Sequence, residues 1–142
     1  MKNDIDIDIS LPCHTGYLRM ISTIGEKVAH EIDCPEGIRE TLSSQLVVVL
    51  TEGLVNAIKH ANSAEPNKDI HVRINVTDKN LVVRIYDNGI GFDLDAVPPP
   101  CFTPCGMEEK GRGIFILRSL MDTVKYTRSE SGNILEMKKK LA

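Results

Sequence analysis

The sequence predicts an α+β fold, a two-layer α/β sandwich whose helices cover one face of a mixed, mostly antiparallel sheet. Apolar and polar residues alternate with a period of two in DIDIDISL, as they do in half-buried strands, and IHVRINVT and LVVRIYD are predicted to be two further strands. Between the first and the second of these segments, apolar residues recur every three or four positions, as they do in helices. The resulting order of strand, two helices, hairpin, helix and hairpin favours helices layered on one sheet face.

The composition is that of one soluble domain spanning residues 1–142, and it excludes several function classes. The net charge is −3, aromatic residues make up 4% and Trp is absent, which argues against a nucleic-acid partner. No continuous apolar run approaches the roughly 18–20 residues that span a bilayer. The acidic, alternating start MKNDIDIDIS is unlike a signal peptide. We therefore expect a cytoplasmic protein with no membrane partner.

The four cysteines are predicted to be reduced thiols. They are Cys13, Cys34, Cys101 and Cys105, and no two of them form a Cys-x-x-Cys pair. A zinc site is the alternative, but Cys101 and Cys105 lie far in sequence from Cys13 and His14.

Two helices are predicted after the first strand. The first runs from Gly16 to Ile32, and DCPEG interrupts it, with Pro35 well placed for a helix start. The second runs from about Glu36 to Asn62. Its apolar stripe occupies about one third of the helical wheel and consists of Leu46, Leu50, Gly53, Leu54, Ala57 and Ala61.

The second half of the chain is predicted to begin with a hairpin whose strands are joined by the polar turn DKN. A loop rich in Gly and Pro follows from about Gly89 to Lys110, and loops of this length are usually functional lids or disordered segments. A third helix, IFILRSLMD, and two strands, TVKYTRS and NILEMKKKL, complete the chain, with a turn near Gly132.

Glu52 and Asn56 form the first candidate functional group. They are four residues apart on the second helix, so they share a face, which Lys59 and His60 extend. An Asn oxygen is a suitable Mg²⁺ ligand beside substrate phosphates, and a Glu can accept a proton. The same residues also fit an ordinary solvated helix face.

The second candidate group is DNGIGF, which follows the strand that ends at Asp87. Its carboxylate can accept hydrogen bonds from an amino group of a ligand at the sheet end. Gly89 and Gly91 let a ligand approach the backbone closely. A plain Asn-Gly turn is the alternative.

The third candidate group is GRGIFI, in which Gly111 and Gly113 precede or open a helix. Free backbone N–H groups and the positive end of the helix dipole attract anions there, and Arg112 could add a contact to phosphate. The alternative is a flexible turn into the helix. Neither a P-loop nor a Rossmann fingerprint is present.

In this order, TEGLVNAIKHA, YDNGIGF and GRGIFILRSLMD resemble the N, G1 and G2 boxes of the GHKL ATPase superfamily, whose ATP-binding domain is the Bergerat fold. The short chain, the opening LPCHTGYLRMIS and the closing helix and hairpin resemble the stand-alone anti-sigma-factor serine/threonine kinases within that superfamily. The resemblance implies an ATP-binding domain with ATP and Mg²⁺ as cofactors.

For the helix, the resemblance implies that Asn56 ligates the Mg²⁺ held by the ATP phosphates. It further implies that Glu52 is the general base, toward a substrate hydroxyl in a kinase or toward water in an ATPase. Lys59 and His60 are candidate neighbours of the phosphates or the ribose.

For the glycine-containing segments, the resemblance implies that Asp87 accepts a hydrogen bond from the adenine amino group. Gly89 and Gly91, with Ile90 between them, would let the chain turn under the nucleotide. A second set would line the phosphates, and it consists of Gly111, Arg112 and Gly113.

The resemblance implies phosphorylation of a serine or threonine on a small antagonist protein in a partner-switching pathway. The partners would be that antagonist, a sigma factor or both, and a homodimer is a further expectation. Two other functions fit the same sequence: the ATP-binding domain of a histidine kinase, and a sequestering module without catalysis. His30 is an unsuitable phosphoacceptor, because the 26 positions to Asn56 leave no room for a helical dimerisation hairpin.

Overall fold

The computed structural model describes residues 4–61, 69–88 and 112–141, without the side chains of His60, Ala61 and Arg112. These residues form five strands, three α-helices and a 3₁₀ turn at Thr15–Tyr17. The strands and helices are β1 Ile5–Pro12, α1 Leu18–Glu31, α2 Glu36–Ala61, β2 Asp69–Val76, β3 Asn80–Asp87, α3 Arg112–Leu120, β4 Thr123–Ser129 and β5 Gly132–Lys140. Their order along the chain confirms the predicted one.

The five strands form one sheet in the order β1-β2-β3-β5-β4. Each of the four pairings between them is antiparallel, whereas a mixed, mostly antiparallel sheet was predicted. The predicted DKN turn joins β2 to β3, and the Thr77 N–H donates to the Asn80 carbonyl at 2.9 Å. The α+β class is thus confirmed.

The two faces of the sheet differ in burial because successive side chains point to opposite sides of a strand. The face that packs against the helices, here called the covered face, carries apolar side chains that are at most 2% exposed. These are Ile70, Val72, Ile74, Val76, Leu81, Val83, Ile85, Leu135 and Met137. The opposite face, the open face, carries half-exposed polar groups such as Arg73, Arg84 and Glu136.

Helix α2 is the centre of the helical layer. It meets the sheet at Gly53, where an added Cβ would lie 2.6 Å from Ile85 Cδ1 and 3.3 Å from Met137 Cε. It meets α1 at Gly25, where an added Cβ would lie 2.6 Å from Leu50 Cδ1. Both contacts require a residue without a side chain, so the two glycines set how closely the layers approach.

The predicted apolar stripe of α2 faces the core. Leu46, Leu50, Leu54 and Ala57 are at most 3% exposed and Gly53 is buried, whereas the side chain of Ala61 lies outside the described residues. By length and composition alone, Glu36–Lys59 is the one described segment that could cross a membrane. Its buried apolar residues, among them Leu46, Leu50 and Leu54, belong to the protein core, whereas Ile38 and Val48 are exposed.

The ends of the helices follow from local hydrogen bonds. The His14 side chain accepts the Gly16 N–H at 2.8 Å, which opens the 3₁₀ turn before α1. Between α1 and α2, the Arg39 guanidinium donates to the Ile32 carbonyl at 3.3 Å and to the Cys34 carbonyl at 3.2 Å. This side chain therefore fixes the turn that the DCPEG segment was predicted to form.

Candidate functional site

Asp87 and Asn133 are the only two polar or charged side chains buried among the described residues, at 5% and 3% exposure. They face each other across the pairing of β3 with β5, and the Asn133 Nδ2 donates to Asp87 Oδ1 at 2.9 Å. Burying a carboxylate is unfavourable unless hydrogen bonds compensate it. A buried carboxylate at a strand end is therefore a candidate ligand-binding group.

Gly132 allows β5 to begin close to Asp87. Its φ of +135° lies in the region that favours glycine, and an added Cβ would lie 2.9 Å from the Asp87 carbonyl oxygen. Any side chain at this position would push Asn133 away from β3. The turn predicted near Gly132 thus has a role in the site, because it sets the distance between Asp87 and Asn133.

Cys13, just after β1, links Asp87 to helix α2. The Cys13 Sγ–H donates to the Ile58 carbonyl at 3.9 Å. Burial raises the pKa of the Cys13 thiol, and the negative charge of Asp87 raises it further. The pairings of Leu11 with Ile70 and of His71 with Tyr86 bring the end of β1 to the sheet end that carries Asp87. Asp87 therefore lies on the side of the site near the turn of α2 that contains Ile58, two residues after Asn56.

Glu52 lies at the other end of the site. An added Cβ at Gly113, in the first turn of α3, would be 3.0 Å from Glu52 Oε2. Glu52 and Asn56 are both half-buried on the same face of α2, as their spacing predicts, and Lys59 is exposed. The Glu52 carboxylate thus faces the N-terminal turn of α3, where the helix dipole favours negative charge.

The site extends along α2 from a first end at Glu52 to a second end at Ile58, and the two ends attract different chemical groups. Six helical residues from Glu52 to Ile58 correspond to about 9 Å along α2. Asp87, near the second end, can accept hydrogen bonds from an amino group. The first turn of α3, at the first end, can attract an anion. A ligand with an amino group at one end and phosphates at the other fits this arrangement, as does a cation held by Asn56 beside those phosphates.

Several of the predicted site residues lie outside the described residues: Gly89, Ile90, Gly91 and Gly111, and the side chains of His60 and Arg112. The structure therefore brings together Glu52 with Gly113, and places Asp87 beside the turn of α2 that follows Asn56. Cys101 and Cys105, and with them the predicted zinc alternative, also lie outside. Among the described residues, no cluster of three metal-ligating side chains is present.

The sequence analysis missed Asn133 as a site residue. Its position in the strand could have identified it. Residues 133, 135 and 137 share the covered face of β5, and the first of them is polar whereas the next two are Leu and Met. A polar residue at an inward-facing strand position needs a buried partner. Asp87 is that partner.

Residues 16–139 match the histidine kinase-like ATPase domain family. The chain is similar to the serine-protein kinase RsbW of Bacillus subtilis, with 28% identity over 99% of this chain and 89% of the relative. It is similar to RsbW of Listeria innocua with 27% identity over 93% of this chain and 85% of the relative. These matches extend over nearly the whole length of both chains.

Two solved structures share the fold. One, titled as the RsbU and RsbW domains of Rv1364c from Mycobacterium tuberculosis, superposes with a TM-score of 0.67 at 14% identity, over 95% of this chain and 32% of that one. The other, a blue-light activated histidine kinase from Erythrobacter litoralis EL346, has a TM-score of 0.56 at 24% identity, over 89% and 41%. The chain belongs to the histidine kinase-like ATPase domain family, within the GHKL superfamily, and is similar to the RsbW kinases.

Proposed function

We propose that the protein is an ATP-dependent serine/threonine protein kinase of the anti-sigma-factor type, which phosphorylates a small antagonist protein. The observation that carries this proposal is that two chemically different groups lie at opposite ends of the site along α2. The buried Asp87–Asn133 pair lies at one end, and Glu52 faces the first turn of α3 at the other. Relatives that match nearly the whole chain are named serine-protein kinases, which supports phosphoryl transfer to a protein hydroxyl.

Asp87 would select the nucleotide base. Its buried carboxylate accepts one hydrogen bond from Asn133, and it would accept another from the amino group of adenine. Because the strand pairing holds both residues, the carboxylate needs little reorganisation when the base binds. Gly89, Ile90 and Gly91 are proposed to turn the chain beneath the nucleotide.

The other end would hold the phosphates. When bound, Mg·ATP supplies the transferable phosphoryl group and the metal charge that stabilises the transfer. Asn56 would ligate the metal through its amide oxygen, and Lys59 and His60 would lie near the phosphates or ribose. Three residues at the start of α3 would donate to the phosphates: Gly111, Arg112 and Gly113.

Glu52 would act as the general base. Its carboxylate would accept the proton of a serine or threonine hydroxyl while the hydroxyl oxygen attacks the γ-phosphorus. The bond from that phosphorus to the bridging oxygen breaks, and ADP leaves. Positioning and charge stabilisation supply most of the rate in such transfers, so one base can suffice.

Variants of α2 separate binding from transfer. In calorimetry with Mg·ATP, Asn56→Ala is expected to lower affinity about 100-fold, or ~2.7 kcal/mol. Glu52→Gln should retain the affinity of the wild type and lose transfer. Ser44→Ala, an exposed change on the same helix, is the matched control and should do neither. Equal Mg·ATP affinity in the wild type and Asn56→Ala would disprove the site.

Label from [γ-³²P]ATP distinguishes the proposed kinase from its alternatives. Proteins captured from a bacterial extract with and without Mg·ATP are identified first and then purified for the assay. Label on a serine or threonine of a captured partner supports the kinase. Label on histidine supports a histidine kinase domain, and release of free phosphate supports an ATPase. Tight capture without any transfer supports a sequestering module.

The proposal also places the protein in the cytoplasm as a single domain over residues 1–142, with an antagonist protein, a sigma factor or both as partners. We also propose that two copies of the chain form a homodimer. Light scattering on the purified chain should then give twice the mass of 15.8 kDa. The mass of one chain at all concentrations would remove the dimer and leave the kinase proposal intact.

A further inference from the structure

A cavity of about 870 Å³ extends over the open face of the sheet as far as the strand ends at Asp87 and Asn133, and neither Glu52 nor Asn56 lines it. It extends from Ser10 on β1 across His71 and Tyr86 to Ser131 in the β4–β5 turn. The nucleotide roles proposed above use Asp87 at one end of this cavity, and they assign nothing to Asp8, Ser10 or His71. The side chains on its floor therefore need a separate account.

Three side chains in this cavity form a hydrogen-bonded chain. The Ser10 Oγ lies 2.9 Å from His71 Nδ1, and the opposite ring nitrogen, Nε2, contacts Asp8 Oδ1. The pairing of β1 with β2 produces this arrangement, because Ser10 is directly opposite His71. Asp8 precedes Ser10 by two residues, so both project from the same face of β1.

This arrangement fixes the direction of the hydrogen bonds. The ionised Asp8 carboxylate can only accept, so it favours the tautomer of His71 that carries its proton on Nε2. Nδ1 is then an acceptor, and the Ser10 hydroxyl donates to it. A hydroxyl, a base within hydrogen-bond reach and a third group that orients the base are the components of an activated nucleophile.

We propose that Ser10 is a nucleophilic serine that accepts acyl groups from small carboxylic esters. The Ser10 oxygen attacks the ester carbonyl carbon as its proton passes to His71 Nδ1. The carbon–oxygen bond to the alcohol then breaks, and His71 returns the proton to the departing alcohol. Water, deprotonated by His71 in the same way, releases the acid and restores Ser10.

The surroundings of the cavity suit a small, partly apolar ester. The side chain of His71 is 43% exposed, so the reacting groups are accessible. The Tyr86 ring meets the His71 ring edge-on, with centroids 6.0 Å apart, and Ile134 adds apolar surface. Among the hydrogen-bond donors that line the cavity, Tyr86 and Arg73, the latter also donating to Asp6, would stabilise the negative charge on the carbonyl oxygen.

A fluorophosphonate probe tests the nucleophile directly, because the serine displaces fluoride and retains the phosphonyl group. Peptide mapping of the wild-type chain, without nucleotide, should find the label on Ser10 and no label in Ser10→Ala. His71→Gln should slow labelling about 100-fold, the usual contribution of a general base. Ser131→Ala, in the same cavity, is the matched control and should label at the wild-type rate.

Asp8 is a positioning residue, since it acts through His71. Asp8→Asn should slow labelling of Ser10 about tenfold or more, because an amide no longer selects the required tautomer, and Asp8→Glu should restore part of the rate. Acetyl-Ser10 should also form from p-nitrophenyl acetate. Absence of label on Ser10, or labelling that His71→Gln leaves unchanged in a chain with the wild-type melting temperature, would overturn the proposal.

Discussion

On the covered face of the sheet, Asp87 and Asn133 are the only described polar side chains that are buried, whereas the open face carries several half-exposed ionic pairs. Arg73 donates to Asp6 there at 2.9 Å, and Arg84 to Glu136 at 2.8 Å. Water solvates the groups of the open face, so losing one partner changes little. On the covered face a lost partner leaves a buried polar group without its hydrogen bond, so the same change affects both stability and ligand binding.

Asp87→Ala tests this difference with the largest expected effect. It removes the carboxylate proposed to bind adenine and leaves the Asn133 amide buried without that partner. We expect Mg·ATP affinity to fall below detection in calorimetry, and unfolding in urea to show a loss of about 1–3 kcal/mol. Asp6→Ala, a carboxylate lost from the open face, should retain nucleotide binding. Wild-type affinity in Asp87→Ala would contradict the assignment of the covered face.

Gly53→Ala tests the contact between α2 and the covered face. Its Cβ would lie 2.6 Å from Ile85 Cδ1, so the helix or the sheet must move. We expect the free energy of unfolding to fall by about 1–3 kcal/mol. Gly37→Ala in the same helix has no atom within 4 Å of its new Cβ and should stabilise the protein by up to about 1 kcal/mol. Equal effects of the two changes would show that packing at Gly53 is not tight.

Asn133→Ala sharpens the comparison within the covered face. The Asp87 carboxylate remains, but the hydrogen bond that orients it is lost. We expect Mg·ATP affinity to fall about tenfold, or ~1.4 kcal/mol, less than for Asp87→Ala. Asn75→Ala, on the open face of β2, is the control and should bind Mg·ATP as the wild type does. A loss as large as that of Asp87→Ala would mean that Asn133 contacts the nucleotide itself.

Asp6→Asn should have the smallest effect, confined to acidic pH. The Arg73 hydrogen bond lowers the pKa of Asp6 in the folded state. Its stabilising contribution is therefore present above the unfolded pKa and is lost as pH falls through the lower, folded one. Urea midpoints of the wild type and Asp6→Asn should converge as the pH falls from neutral through the ordinary aspartate pKa of about 3.9 and below it. A constant difference over this range would exclude titration of Asp6 as the cause.

The sequence predicted most of the fold because its signals are local. IHVRINVT and LVVRIYD were predicted as two strands joined by a tight turn and form β2 and β3, and the stripe of α2 placed Leu50 and Leu54 in the core. Helix and strand bounds differ by one or two residues, as at Asn80, which belongs to β3 rather than to the turn alone. Such ends depend on individual hydrogen bonds rather than on periodicity.

The candidate site was less predictable from the sequence. Glu52 and Asn56 were identified by their spacing on one helix, and Asp87 by its place at a strand end. Asn133 and Cys13 were not, since their relation to Asp87 depends on which strands pair and how closely β5 approaches β3. The chain Asp8–His71–Ser10 was missed for the same reason, because it depends on the register between strands more than sixty residues apart.

The glycine at position 53 has a consequence for how the site can change over evolution. With only a hydrogen atom between helix and sheet, α2 has no room to slide or rotate without displacing Ile85, which lies two residues before Asp87 on β3. The distances of Glu52 and Asn56 on α2 from Asp87 on β3 are therefore fixed by this contact. A change in the site is therefore more readily acquired by substitutions near α3 than by a movement of α2 against the sheet.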